Sequence, residues 1–385
     1  MAIRTSTGNR FFMGDTPMLV VKDVHMINEI FIKDSSKFHG RGVMPSMLHA
    51  LQQFIDILGE HADRGVEVDI NSLCERFTFD AISKAAYGID TNVQRNPEVP
   101  MFQNALAVVP KLNAGFFYNL GQNLYHWRSL LKVPAKLLGT LYSNPLAEMT
   151  KKTTDVIQYR RMNPQVGLPD MAQILLDGLV NAENSAAQKN KANVDITAPL
   201  PTETLNQLSS NCMTVFIGGY DTTRLALTFW FYVMGKHPDV QEKMRVEVLG
   251  AFERRFTSRC ADEDCRYGKY LIRKGTSVMV PTYQLHHDPK YWDEPEKFKP
   301  ERFSPENKSR INPTAYQPFG LGPRICIGQR LALLELASAT TQVLRHYRIE
   351  LGASQKHDVE LDTYSYLLVP KDGVQIRLHR LNNEK

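Results

Sequence analysis

Apolar residues recur at three- and four-residue steps through residues 46–58, where Met47, Leu48, Leu51, Phe54, Ile55 and Leu58 share one face of a helix. The same period returns at 77–86 and 171–179, so the first half of the chain is predicted to be mostly helical. Residues 183–195 are polar and rich in Ala, Asn and Lys, and they lead into Ala198-Pro199 and Pro201; an exposed loop is expected there. The strongest element begins near Thr202 and stays largely apolar almost to Met234. Lys236-His237-Pro238 ends it, because proline cannot continue a helix. At about 1.5 Å per residue such a helix crosses a whole domain.

Beyond it the period changes. Tyr270-Leu271-Ile272 and residues 276–280 flank Arg273-Lys274-Gly275, which predicts a hairpin, and residues 364–369 and 374–378 flank Pro370-Lys371-Asp372-Gly373, which predicts a second. The expected fold is mainly α with a minor β part, an α+β domain running over residues 1–385.

Composition narrows the class. With 43% hydrophobic and 23% charged residues and no low-complexity tract, the 385-residue chain is an ordered globular protein. Its formal charge of +5 is spread without a dense Lys/Arg block, so nucleic acid is not an expected partner. Five cysteines (Cys74, Cys212, Cys260, Cys265, Cys326) are odd in number and sparse, which argues against a secreted disulfide framework and fits a reducing compartment. The first residues are polar and offer neither a signal-peptide core nor a span of about 20 apolar residues, so no transmembrane anchor is expected in this chain.

Two segments carry candidate chemistry. In Phe319-Gly320-Leu321-Gly322-Pro323-Arg324-Ile325-Cys326-Ile327-Gly328, a glycine-rich loop surrounds one cysteine and then opens an apolar helix through Ala332. The positive end of a helix favours anionic sulfur, glycines let a flat group approach the backbone, and Arg324 can pair with a carboxylate. An inert buried cysteine is the plain alternative. Inside the long helix, Gly218-Gly219-Tyr220-Asp221-Thr222-Thr223 sets two glycines before an acid and two hydroxyls. Each interior glycine costs about 1 kcal/mol relative to alanine, so a kink, a close approach or packing on small residues should offset it.

The cysteine loop resembles the haem-thiolate signature of the cytochrome P-450 family, matching at Phe319, Gly320, Gly322, Arg324, Cys326, Gly328 and Ala332. The resemblance implies haem b held by Cys326 as the axial ligand of iron, Arg324 at a propionate, Phe319 beside the sulfur, and Gly320, Gly322, Gly328, Ala332 and Gly219 against the cofactor. The helix hexad resembles the family's oxygen-binding groove, which implies that Asp221 and Thr222 relay protons. His286-His287-Asp288-Pro289 with Trp292 and Pro295, and Pro300-Glu301-Arg302-Phe303, also match, and together these motifs cover residues 202–352. Residues 77–82 are similar to the animal drug- and xenobiotic-metabolising group.

Three features depart from the family pattern. The Glu-x-x-Arg pair that locks to the motif arginine is missing: Glu242 with Arg245 and Glu263 with Arg266 have the spacing without the helical context. Arg302 is then expected to lack its usual partner, and residues 250–256 read as a junction. None of Trp127, Trp230 and Trp292 has an arginine four residues later, which places a second gap near 43–44. Thr16–Val21 resembles an early strand of the family's body, which places a third before residue 14. The chain thus reads as an internally shortened member.

The resemblance implies a monooxygenase that inserts one oxygen atom of O2 into a small apolar organic substrate. Electrons would come from NADPH through NADPH-cytochrome P-450 reductase, docked where Lys297, Lys299, Lys308, Arg310 and Arg330 make the thiolate side basic. The implied location is the cytoplasmic face of the endoplasmic reticulum membrane, with peripheral contact through Phe116-Phe117-Tyr118. The alternative is a non-catalytic shortened form that fails to hold productive haem.

Overall fold

The apolar stripe at 46–58 lies on helix α1 (Pro45–Arg64), with Leu51, Phe54, Ile55 and Leu58 buried. The computed structural model describes residues 3–5, 8–13, 16–21, 45–108, 145–164, 170–190, 197–244, 257–260, 264–267, 270–272, 277–280, 282–355, 357–364 and 367–381. The further helices are α2 (Ile70–Tyr87), α3 (Pro100–Val108), α4 (Pro145–Met162), α5 (Met171–Asn190), α6 (Thr202–Lys236), α7 (Pro238–Met244), α8 (Thr282–His286) and α9 (Gln329–His346). Small antiparallel sheets supply the rest, so the mainly α, minor β expectation holds. Two compact units divide the chain: residues 1–54, 76–108 and 136–220 form one, and residues 55–75, 109–135 and 221–385 the other.

In the first unit, β1 (Ile3–Thr5), β2 (Gly8–Met13) and β3 (Thr16–Val21) form an antiparallel sheet, so the strand expected at Thr16–Val21 is present. Aromatic rings make the core: Phe54 stacks on Phe77 at 4.7 Å, and Phe79 meets Phe102, Phe216 and Tyr220 edge-on at 5.0, 5.3 and 5.4 Å. Where the chain leaves α2, the buried Asp80 carboxylate accepts hydrogen bonds from Thr91 Oγ1 and from the N–H groups of Val93 and Gln94. Arg160 of α4 donates to both oxygens of Asp170 at 2.5 and 2.7 Å and to the Tyr87 carbonyl at 2.6 Å, with all three residues buried.

Residues 183–190, expected as loop, are helical. Helix α5 continues to Asn190 because Ala186, Ala187, Gln188 and Lys189 are good helix formers despite their polarity, and Glu183 is anchored by Arg161 at 2.8 Å. Residues 191–196 lie outside the described residues, as do the junction at 250–256, the gap at 43–44, and Phe116-Phe117-Tyr118.

In the second unit a three-stranded sheet orders β4 (Val68–Asp69), β12 (Gln375–Arg380) and β9 (Tyr347–Leu351). Buried Gln241 of α7 ties this sheet to the end of α6. Its amide donates to the carbonyls of Met234 and Ile349 and accepts the Ile349 N–H, all at 2.9 to 3.0 Å. Tyr347 donates from its hydroxyl to the Ile55 carbonyl at 3.0 Å.

Both predicted hairpins pair differently. Strand β7 (Tyr270–Ile272) pairs with β6 (Cys265–Tyr267), and β8 (Ser277–Val280) pairs with β5 (Thr257–Cys260). Tyr267 faces Tyr270, so only Gly268-Lys269 intervenes, a Gly-X link that suits the shortest hairpin better than the four-residue stretch 273–276. Likewise β11 (Leu367–Pro370) pairs with β10 (Leu361–Tyr364), while the strand after the turn joins β9 and β4. The expected tight turn is there, with Gly373 at φ +71°. Asp69 redirects the chain: its Oδ1 accepts the Val374 N–H at 3.1 Å and lies where any Cβ on Gly373 would collide.

Replacing Arg160 with leucine is expected to lower stability by about 3–5 kcal/mol in urea denaturation, since it strands a buried carboxylate. Adding Asp170→Leu should recover part of that loss.

Candidate active site

The cysteine loop is built from main-chain hydrogen bonds. The Gln317 N–H donates to His286 Nε2 at 2.9 Å, which fixes that ring nitrogen as an unprotonated acceptor. The Gly320 N–H then bonds the Gln317 carbonyl at 3.1 Å, the Ile325 N–H the Gly322 carbonyl at 3.0 Å, and the Cys326 N–H the Phe319 carbonyl at 2.9 Å. Gly320 and Gly322 hold φ of +78° and +72°, a region that other residues enter only with strain. Phe319 is buried, and Cys326 is a free, half-buried thiol. Helix α9 follows at once, with Gly328 at its N-cap and no capping side chain. A methyl group on Gly328 would stand 3.9 Å from Cys326 Sγ, so nothing bulky flanks the sulfur on that side. Ala332 closes the first turn by donating its N–H to the Gly328 carbonyl at 2.9 Å. Arg324 lies in the 3-10 turn Gly322–Arg324, and its side chain is outside the described residues.

Asp221 and Thr222 sit within α6, Asp221 buried and Thr222 half-buried. Asp221 is engaged by a residue that the sequence reading passed over: Arg224 places Nε 3.0 Å and Nη2 2.5 Å from its Oδ1. Spacing was the available signal, since residues three apart share a helix face. Arg224 also donates from Nη1 to Asn71 Oδ1 at 2.9 Å and stands 3.8 Å from Glu75 Oε1. Gly219 earns its place by close approach, because a Cβ there would fall 2.6 Å from Ile82 Cδ1, whereas Gly218 faces open space. The loop residues thus form one hydrogen-bonded set and Asp221 with Arg224 another, both within the 221–385 segment.

The family model for cytochrome P450, spelled here cytochrome P-450, matches residues 44–258 and 255–378. This chain belongs to the cytochrome P-450 family. Among its curated relatives, cytochrome P-450 3A41 of Mus musculus is 26% identical, covering 88% of this chain and 78% of the relative. Cytochrome P-450 3A5 of Homo sapiens is 27% identical over 88% of this chain and 70% of its own length, and cytochrome P-450 6B7 of Helicoverpa armigera is 23% identical over 94% and 83%. All three are animal proteins, in agreement with the group the sequence pointed to. The alignment with the mouse protein runs over 408 positions, more than the 385 residues of this chain, so gaps fall on this side. Cytochromes P-450 bind haem with an axial cysteine thiolate. Cys326 fits that role: it is a single free thiol on a loop that glycine keeps open beside the sulfur.

The cytochrome P-450 motif arginine, Arg302, does find partners. Its guanidinium donates to the main-chain carbonyls of Asp293, Glu294 and Lys297. Two of the five expected steering cations are locally engaged: Lys297 bonds Glu294, and Lys299 bonds both Glu294 and Asp293. Those lysine bonds pull the Glu294 carboxyl down to about 2. Lys308, Arg310 and Arg330 are exposed. Among the described residues no helix is long and apolar enough to cross a membrane.

A second residue passed over in sequence is Glu335. It lies on the buried face of α9 beside Leu336 and Ala339, its Oε1 has no hydrogen-bond partner among the described residues, and burial pushes its carboxyl up to about 8. Its signal was an acid inside the apolar run 331–336.

Two outcomes follow from these contacts. The folded protein keeps the Glu335 proton while the unfolded chain, titrating near 4.5, loses it, so this residue costs nothing below that pH and lowers stability progressively as pH rises toward 8. Glu335→Gln should therefore match the parent at pH 4.5 and exceed it by a few kcal/mol, roughly, at pH 8 in urea denaturation. His286→Phe retains a ring near Tyr316 but removes the acceptor for Gln317; a loss of about 1–2 kcal/mol in the same assay is expected.

Proposed function

We propose that this chain is a haem-thiolate monooxygenase that inserts one oxygen atom from O2 into a small apolar organic substrate, with Cys326 as the iron ligand. The observation that carries this reading is the closed 317–329 loop, which sets one free thiol at the start of a helix and buries Phe319. Bound haem supplies oxygen activation, and thiolate donation favours O–O cleavage. Gly320, Gly322, Gly328, Ala332 and Gly219 would border the cofactor, and Arg324 would hold a propionate. Asp221 would take up and pass protons, with the Thr222 hydroxyl as the next station on the helix. Electrons would come from NADPH through NADPH-cytochrome P-450 reductase, and exposed Lys308, Arg310 and Arg330 would steer that partner. The cytoplasmic face of the endoplasmic reticulum membrane is the proposed location.

The chain is further proposed to be one cytochrome P-450 domain lacking segments near 43–44 and near 250–260. The break of the family match at 255–258 and the gaps against the mouse relative support this. A second reading, a shortened form without productive haem, is favoured by Glu335, since a buried carboxyl with an unbonded oxygen is what a missing segment would leave behind.

The deciding test is the carbon monoxide difference spectrum of reduced, haem-supplemented protein beside Cys326→Ser. A red-shifted thiolate band lost in the variant is expected. No such band in the parent chain overturns the monooxygenase reading in favour of the second.

A further inference from the structure

We infer that Glu75 is a positioning residue for Asp221: the two carboxylates share Arg224, so Asp221 can take a proton and release it without leaving the guanidinium unpaired inside the protein. This rests on the proposed proton role of Asp221. Arg224 cannot release its own proton and is buried, so it needs a carboxylate at hand in every state of the relay. Asp221 Oδ1 lies 3.0 Å from Arg224 Nε, and Glu75 Oε1 lies 3.8 Å from the same nitrogen. A small rotation of the guanidinium exchanges one for the other.

The surroundings suit such an exchange. Asn71 and Glu75 lie four residues apart on one face of α2, and Asp221, Arg224 and Thr228 on one face of α6. Asn71 Oδ1 accepts from Arg224 Nη1 at 2.9 Å and from Thr228 Oγ1 at 3.3 Å, which anchors the far edge of the guanidinium whichever acid holds the near edge. Buried Cys74 stands between Asn71 and Glu75 in the helix, and burial pushes its thiol far up, so it stays neutral and adds no charge. Side-chain exposure is 5% for Asp221 and 19% for Glu75, so Glu75 is the acid nearer to solvent and the less costly one to keep ionised. In the step itself a hydronium proton from solvent binds the Asp221 carboxylate and Arg224 turns to Glu75; Asp221 then gives its proton to the Thr222 oxygen as that hydroxyl passes its own proton on, and Arg224 returns to Asp221. The charge of the three groups goes from −1 to 0 and back.

Glu75→Gln and Asp221→Asn, alone and together in the full chain, test the exchange in urea denaturation at pH 7. If either acid can hold Arg224, the unfolding constant of the double variant should exceed the product of the single effects by about tenfold. Additivity within about twofold overturns the proposal. In haem-loaded protein that gives the thiolate band, Glu75→Gln should lower kcat rather than raise KM, displace the pH profile of kcat, and send a larger share of NADPH electrons to peroxide. Unchanged kcat and pH profile also overturn it, while the monooxygenase reading stands. Non-additivity without the thiolate band leaves the shared arginine in place and withdraws its catalytic use.

Discussion

The N–H of Cys326 donates to the Phe319 carbonyl across a loop whose two glycines hold positive φ, and the chemistry of the chain depends on that closure. It leaves the Cys326 thiol half-buried and Phe319 buried, and it delivers the chain into α9. The loop is in turn moored by a ring nitrogen, His286 Nε2, which takes the Gln317 N–H. A stretch that reads as a cofactor motif is therefore held by contacts outside the motif, from a histidine thirty-one residues earlier in the chain.

Arginine charge is met in three ways. Arg160 is fully met by one carboxylate and a carbonyl, Arg302 by main-chain carbonyls alone, and Arg224 by an acid, an amide and a second acid slightly beyond bonding distance. The first two are static, since every donor named has a fixed acceptor. The third leaves a choice, and it falls on the helix that carries the proposed proton pair. Glu335 is a carboxyl that burial drives toward its neutral form.

Family membership was legible in the residues themselves. The thiolate loop, the Gly-Gly-Tyr-Asp-Thr-Thr hexad and the Pro-Glu-Arg-Phe motif are contiguous, and contiguous motifs survive without knowledge of what packs on them. Helices α1, α2 and α6 were legible for a related reason, because apolar periodicity is a local property and proline marks the end of α6. The polar end of α5 was misread as loop, since helix propensity there outweighs the lack of an apolar stripe.

What only the tertiary structure decided was partnership. Strand β8 pairs with β5 and β12 with β9 and β4, although other strands lie nearer in sequence; Asp69 turns the chain into β12 by accepting the Val374 N–H. Sequence determined that Arg302, Asp221 and Glu335 exist as charged residues in apolar or motif settings. It could not show that carbonyls satisfy the first, that Arg224 claims the second, or that Oε1 of the third goes unbonded. Whether a buried charge is met depends on groups brought within about 3 Å by folding, and a hydrogen bond keeps no trace of itself in the order of residues along the chain.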